Sequence, residues 1–381
     1  MSIGNRIYAE LRGDRTVWVI VALLAIFSIL TVYSATGSMA FRERGGNTEF
    51  YLIKHGIFVV GGLLLTYLCY LLHYMQYSRL APVLLVLSIP LLVYTIAMGV
   101  EINDARRWIT LPVIGFTIQT SDFAKLALII YVARAISSKQ EYIKDFNSAF
   151  LPIIVPVLII CGLIAPADLS TSLILFATCL GMMFLGRVDI KYILLLVFLG
   201  VVVFALLIII GMFFPETVRL ETWIARTQDF IANTEGGFQI KQAKIAIADG
   251  SWLGIGPGNS TQRNYLPAPY SDFIYAIICE EYGLVGGFTI LALYVLLFYR
   301  CVSIVTRSPK AFGAMLVLGL GLMLTVQALA NIAVSVHLVP VTGLTLPMVS
   351  MGGTSIIFSS IAFGMILSVS RYIEKTAPES Q

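Results

Sequence analysis

The chain has 381 residues, 58% of them hydrophobic and 12% charged, about half the charged fraction of an ordinary soluble domain. That composition excludes a soluble enzyme and points to a membrane protein. A net charge of +4 with no basic arm gives no case for a nucleic-acid partner.

Spanning a bilayer takes about 20 mostly apolar residues. Ten such windows follow one another, at about 17–37, 54–73, 79–99, 120–138, 148–166, 169–186, 190–213, 271–299, 311–337 and 352–371, with the fifth and sixth poorly separated. They predict an all-α, polytopic bundle of about ten transmembrane helices forming one domain over 1–381, with a long segment, 214–270, between the seventh and eighth helices. The first window has no small-residue cleavage site after it and reads as a retained helix rather than a secretory signal. The final residues, TAPESQ, read as a short disordered tail.

Lysine and arginine in short loops set orientation. An even number of spans puts both termini on one side. That side carries fourteen basic residues, from Arg6 and Arg12 to Arg371 and Lys375, against Arg42, Arg44, Lys54, Arg106 and Arg107 on the other. Both termini are therefore expected in the cytoplasm, and 214–270 outside it.

Four regions depart from plain hydrophobic spanning. The first, Ala105 to Lys125, holds Arg106, Arg107 and Trp108, then Asp122 and Lys125 at i, i+3, where they can pair on one helix face. Trp108 and its arginines fit an interfacial aromatic belt with snorkelling cations. Lys125, about a turn into an apolar helix, equally suits an anionic headgroup that needs fixed positive donors.

The cysteines 69, 161, 179, 279 and 301 lie in or at the ends of apolar windows without C-x-x-C spacing, which indicates neither a disulfide framework nor a zinc site. His55, His73 and His337 are too dispersed in sequence to suggest a metal centre.

In the long segment, Leu220, Trp223, Ile224, Thr227, Phe230 and Ile231 follow a 3.6-residue stripe, while Arg219, Glu221, Arg226 and Asp229 stay off it. This predicts an amphipathic helix at the membrane surface. Lys241 and Lys244 share a face further on, as lysines on a solvated helix commonly do. The run Gly254-Ile255-Gly256-Pro257-Gly258 lacks the βαβ context of a dinucleotide site. Its glycines read as a tight turn that lets backbone approach a ligand.

The third region carries Asp272, Glu280 and Glu281 at the start of the eighth window. A charge at the bilayer centre costs roughly 2.5–3.5 kcal/mol on insertion scales, so such acids usually mark substrate paths, proton relays or catalytic groups. Asp272 follows Pro267, Pro269 and Ser271, where it can cap the helix or act as a base. A helix N-terminus lowers its pKa and burial raises it. Glu280 lies about two turns deeper, roughly on the Asp272 side of the helix, and Glu281 points more nearly the opposite way; both read as hydrogen-bonded structural groups.

The fourth region places Gln327, Asn331 and Ser335 at i, i+4, i+8, then breaks the helix with Pro340, Gly343, Pro347, Gly352 and Gly353. Non-helical backbone at membrane depth survives inside protein or lining a cavity, so an outward polar pocket is expected. Two function classes fit: a transferase acting on a lipid-linked anionic substrate, in which an acid deprotonates an acceptor hydroxyl and cations stabilise a departing pyrophosphate; or a proton-coupled transporter or lipid flippase with the same acid as relay.

Residue matching favours the transferase. ARRWI followed by QTSDFAK, GPGNSTQRNYLPAPYSDFIYAIICEEYGLVGG, and VPVTGLTLPMVSMGGTS resemble, in order and between matching spans, three motifs of the SEDS peptidoglycan glycosyltransferases, FtsW and RodA. The resemblance implies polymerisation of lipid II into a β-1,4 glycan on the outer membrane face, with Asp272 as general base and inversion at the sugar. TGLTLP leans toward the division branch, which implies a class B penicillin-binding transpeptidase and other divisome proteins as partners at the septum. With the polar regions above, it implies a substrate-binding set of Arg106, Arg107, Trp108, Lys125, Lys241, Ser260, Gln262, Arg263, Asn331, Ser350 and Ser355. It leaves room for a divalent cation, magnesium or manganese, which these residues do not specify.

Departures are local. Ala268 and Tyr270 stand where the family has Glu and His, Thr120 and Asp122 replace Pro and Glu, and Met351 replaces Tyr. The fifth-to-sixth turn reads ADLST rather than PDLGT, which puts a role for Asp168 in doubt.

Overall fold

A computed structural model describes residues 12–45, 47–102, 105–110, 117–213, 218–232 and 237–376. Arg6, the side chains of Arg42 and Arg44, residues 214–217 and the tail from 377 lie outside the described residues.

The helices are α1 (Arg15–Ala35), α2 (Gly37–Arg44), α3 (Thr48–Leu71), α4 (Tyr74–Met98), α5 (Thr120–Ser138), α6 (Leu151–Ile164), α7 (Leu169–Leu185), α8 (Ile190–Phe213), α9 (Leu220–Ala232), α10 (Phe238–Gly250), α11 (Ile274–Arg307), α12 (Ala311–Ser335) and α13 (Gly353–Thr376). Among the described residues seven helices, α1, α3, α4, α8, α11, α12 and α13, are long and apolar enough to cross a membrane, so the chain is a multi-pass membrane protein. The other three apolar windows also lie on helices, but they fall short of that measure. Helix α5 carries Asp122, Lys125 and Arg134, and α6 and α7 have 14 and 17 residues. Fourteen residues rise about 21 Å, less than the roughly 30 Å hydrocarbon core.

Small residues set the closest packing, as expected where lipid removes most hydrophobic drive between helices. A Cβ on Gly62 of α3 would lie 2.5 Å from Ser360 Oγ of α13, and one on Gly364 of α13 would lie 2.6 Å from the Thr66 carbonyl. Helix α12 is sheathed by α5, α7, α11 and α13. At the opposite extreme, α8 is the most apolar span and the least buried. Asp14 caps α1 through Thr16 N and Val17 N, and pairs with Arg300 near the end of α11.

One element adds to the all-α bundle. Between α4 and α5 the chain forms a three-stranded antiparallel sheet, β1 (Val100–Ile102), β2 (Ala105–Thr110) and β3 (Thr117–Gln119), in that order. Trp108 on the central strand pairs with both Val100 and Gln119. Strands of three to six residues are too short to set up a readable alternation, and this local pairing turns Arg107 toward the start of α7.

The predicted surface helix is α9. It folds back on α8, with Trp223 stacked on Phe204 at 6.0 Å between ring centroids.

Candidate functional site

The site is built where two irregular segments meet. Before α11, residues 269–273 form turns, and after α12, residues 336–352 run without regular helix. They are sewn together by the residues of the predicted polar stripe and loop. Asn331 Nδ2 donates to the Asp272 carbonyl at 2.8 Å and to the Leu344 carbonyl at 2.6 Å. Ser350 Oγ donates to the Ser271 carbonyl at 2.7 Å, and Met351 N to the Tyr270 carbonyl at 2.8 Å. Ser355 and Thr345 hydroxyls lie 2.8 Å apart, and Gln327 Nε2 donates to the Thr345 carbonyl at 2.9 Å. Asn331, Ser350 and Ser355 were expected to bind substrate. Asn331 Nδ2 and the Ser350 hydroxyl hold the backbone around Asp272, Ser355 holds the Thr345 side chain, and Asn331 Oδ1 is buried with no partner among the described residues; the stripe binds broken chain more than neighbouring helices.

Asp272 itself does not cap α11: the N-cap position is Phe273, and no side chain caps that end. The Asp272 carboxylate accepts from Ser271 Oγ at 3.0 Å. Burial raises its pKa above the ordinary aspartate value. The Ser271 bond and the positive charges of Arg226 and Arg107 oppose that rise, while the Asp168 charge adds to it.

Two cations face this carboxylate from different elements. Arg107 on β2 donates to the Ala167 carbonyl at 2.7 Å and pairs with Asp168 at 3.0 Å. Asp168, buried, also caps α7 by accepting from Thr171 N at 3.1 Å. The departure around Asp168 therefore leaves it a clear positional role. Arg226 comes from α9. A Cβ on Gly343 would lie 3.7 Å from Asp272 Oδ2 and 4.0 Å from Arg226 Nη2, so this glycine, at φ +70°, keeps the space between acid and cation open. Sequence reasoning left Arg226 on the solvated side of a surface helix, and only tertiary packing brings it here.

The remaining predicted residues are dispersed. Lys125 is buried in an ion pair with Asp122 at 2.8 Å, as the i, i+3 spacing foretold, and its Nζ reaches Gln327 Oε1 at 3.4 Å. That pair already neutralises its charge. Arg106 is exposed and Trp108 half-buried in the sheet; Lys241 is exposed on α10. Ser260 Oγ, Thr261 N, Thr261 Oγ1 and the Gln262 backbone N all donate to Glu280. Ser260 and Gln262 therefore fasten the loop to α11. Arg263 donates to the Ser34 carbonyl and hydroxyl, each at 3.1 Å, beside a cleft of 650 Å³ against α1 and α2. Glu281 accepts from the Ser34 hydroxyl.

Within the glycine run, Gly254 packs against protein, while Gly258 borders open space in the cleft beside Arg263. Gly254, Gly256 and Gly258 have φ of +82°, +96° and +80°, and a Cβ on Gly254 would meet the Glu281 carbonyl at 2.1 Å. Helix α11 is interrupted at Gly283, φ +67°. The carbonyls of Glu280 and Glu281 accept from Ile255 N and Gly256 N, while Leu284 N and Val285 N donate to Ser251 and Trp252 carbonyls. Since N–H(i) bonds O(i−4) in an α-helix, the loop satisfies the two donors and two acceptors that the break exposes.

Among the described residues no three His, Cys, Asp or Glu side chains come together as a metal cage. The five cysteines are free.

Comparison with known proteins gives a consistent picture. The family model described as cell cycle protein, FtsW/RodA/SpoVE, matches residues 14–375. The chain is 34% identical over 356 residues to the probable peptidoglycan glycosyltransferase FtsW of Nitrosococcus halophilus, covering 91% of this chain and 90% of that one. It is 32% identical to stage V sporulation protein E of Bacillus subtilis, covering 94% and 97%. Among solved structures, it matches a chain from a study of polymerisation and crosslinking by a peptidoglycan synthase complex with a TM-score of 0.73 at 23% identity, over 95% of this chain and 98% of that one. It matches the rod shape determining protein RodA of Thermus thermophilus with a TM-score of 0.66 at 24% identity, over 94% and 97%. At those identities the structural matches speak to the fold.

Proposed function

The chain belongs to the FtsW/RodA/SpoVE family of cell cycle proteins, and from that premise we propose how it works as a peptidoglycan glycosyltransferase on a lipid II-type substrate. The observation that carries the reading is Asp272: a carboxylate without capping duty, held in a fixed turn, with its pKa raised by burial. A base with raised proton affinity takes a proton more readily than an exposed aspartate.

Asp272 removes the proton of the acceptor sugar's 4-hydroxyl as that oxygen attacks the anomeric carbon of the donor. The bond from that carbon to undecaprenyl pyrophosphate breaks, the configuration inverts, and a β-1,4 link forms. The leaving group is already good, so one carboxylate suffices where glycosidases need two. Arg226 and Arg107 meet the charge that develops on the pyrophosphate. Arg106, Lys241 and Arg263 are more exposed and suit the approach of an anionic headgroup; Lys125 acts through its pair with Asp122 and the Gln327 contact.

Magnesium and manganese prefer oxygen ligands, and magnesium is usually held by one or two carboxylates together with substrate phosphates. No three-acid cage exists among the described residues, and a divalent cation on Asp272 would lower the proton affinity that makes it a base. The oxygens of the substrate pyrophosphate rather than Asp272 would therefore hold such an ion, which would supply further positive charge to the leaving group.

All ten apolar helices cross the cytoplasmic membrane in this reading, α6 and α7 at a short, locally thinned passage. Both termini are cytoplasmic, and 214–270 lies outside with Asp272 at its base. Relatives named FtsW at 34% and 36% identity support the division branch and work at the septum. The likeness to a chain of a polymerising and crosslinking complex supports a class B penicillin-binding transpeptidase, with other divisome proteins, as partners.

The test is polymerisation of purified lipid II by the full chain, read as glycan ladders on a gel, beside a vesicle assay for crossing of fluorescent lipid II. Polymer from wild type and none from Asp272→Asn is expected. Lipid crossing without polymer overturns the reading in favour of a flippase.

A further inference from the structure

Helix α3 leaves most of its surface unpacked, and its buried residues form one stripe, Tyr51, His55, Val59, Gly62, Thr66 and Tyr70. His55 places an imidazole, 1% exposed, within that stripe. A buried polar ring needs partners, because desolvation without a hydrogen bond is costly. Its Nε2 lies 2.8 Å from the Ser28 hydroxyl of α1, and that hydroxyl donates to the Val349 carbonyl at 2.9 Å. Ser28 and Val349 are fully buried.

Proton counting fixes the direction of this chain. A serine hydroxyl carries one proton and a carbonyl can only accept. The Ser28 proton therefore belongs to Val349, and Ser28 Oγ accepts from the ring. His55 is thus the uncharged tautomer with its hydrogen on Nε2. Its Nδ1 is a bare acceptor, buried with no partner among the described residues.

A hydroxyl inside a helix commonly bonds the carbonyl four residues back. Thr31 on the same helix does so, donating to the Phe27 carbonyl at 2.7 Å, as does Thr178 on α7 to Ile174 at 2.8 Å. Ser28 instead reaches across to the irregular segment after α12. Val349 N and Ser350 N already close that turn on the Leu346 carbonyl, so Ser28 does not make the turn. It ties the turn to the helices. The Val349 carbonyl shares one planar peptide unit with Ser350 N, and residues 350 and 351 grip the Ser271 and Tyr270 carbonyls.

We propose that His55 and Ser28 are positioning residues for Asp272, a two-link strut from α3 through α1 that fixes the 349–351 backbone and, through it, the turn that carries the carboxylate. The proposal rests on the glycosyltransferase reading with Asp272 as base, and adds the residues that aim it.

The experiment uses the full chain and measures lipid II polymerisation and backbone hydrogen exchange on the same preparations. Wild type is compared with Ser28→Ala, His55→Leu, His55→Gln and the double variant Ser28→Ala with His55→Leu. Leucine removes the ring donor, whereas glutamine supplies an N–H in its place. A misplacement of ~1 Å arising far from the chemistry can cost about 10²-fold. Ser28→Ala and His55→Leu should accordingly lower kcat about tenfold with KM within about twofold, the signature of an interaction made in the transition state. His55→Gln should stay within about twofold of wild type. Links of one strut are coupled and do not add, so the double variant should match the single ones.

Exchange at the 349–351 amides should quicken about tenfold in Ser28→Ala, while Ile255 and Gly256, bonded to α11, stay protected. A lowered melting temperature with wild-type kcat per folded molecule, equal losses from glutamine and leucine, or additive losses overturns the strut. If His55→Leu does not fold, Ser28→Ala and His55→Gln decide. Absence of polymer from wild type overturns the underlying reading alone. Exchange then still tests the strut, and unchanged rates at 349–351 in Ser28→Ala overturn it.

Discussion

Asp272 and Glu280 sit two helical turns apart at the head of α11, and they live in opposite surroundings. Glu280 is fully buried and saturated, accepting from two hydroxyls and two backbone N–H groups of residues 260–262. Asp272 has one neighbouring hydroxyl and two cations within electrostatic reach. A carboxylate whose lone pairs are all engaged is a structural anchor, because protonation or movement would break several bonds at once. One with spare acceptor capacity and a raised pKa is free to take a proton. Residue type is similar, so burial and the hydrogen-bond inventory are what assign the roles.

The sharpest way to break that contrast is substitution at both positions. Asp272→Asn should lower polymerisation by about three orders of magnitude, within the 10²–10⁴ that a general base contributes, with folding intact. Wild-type-like ladders from that variant would remove Asp272 from the chemistry. Next, Arg226→Ala should reduce kcat about tenfold, as expected when one stabilising charge on a leaving group is lost. Because Arg226 lowers the Asp272 pKa, its removal should also move the acid limb of the pH–rate profile to higher pH. An unmoved limb would place Arg226 away from the acid.

Glu280→Gln replaces the anchor by an amide that cannot accept all four donors. It should cost about 1–3 kcal/mol of stability, read by thermal unfolding, while activity per folded molecule stays near wild type. The smallest effect is a stability gain. A raised folded-state pKa makes the proton-bound form the favoured one, so wild type loses relative stability as pH rises from the ordinary aspartate value through the raised one. Asp272→Asn carries no such charge. It should therefore melt slightly above wild type at neutral pH, and the difference should vanish in acid.

Much of this was legible in one sequence because it rests on periodicity and short spacings. Apolar windows mark the helices, the stripe from Leu220 to Ile231 marks α9, and the i, i+3 spacing marks the Asp122–Lys125 pair. What was not legible depends on pairing between distant segments. Arg226 looks solvated until α9 folds back on α8. Gly254 looks like an open turn until α11 is seen to break beside it. Asn331 Nδ2 and the Ser350 hydroxyl are held by the backbone turns at 271–272 and 344–346, a role no spacing announces, while Asn331 Oδ1 stays without a partner among the described residues. The short sheet has no periodic signature, although it alone carries Arg107 to Asp168.

The break at Gly283 also has a mechanical meaning. Four backbone hydrogen bonds splice 251–256 into α11, so peeling that loop away would melt the helix at its middle. Loop and helix head must move as one stiff piece, and the position of Asp272 is then governed by how that piece is seated against 344–351. A substitution such as Gly254→Ala, whose Cβ would collide with the Glu281 carbonyl, would accordingly act at a distance, unseating the catalytic turn without touching a single atom of it.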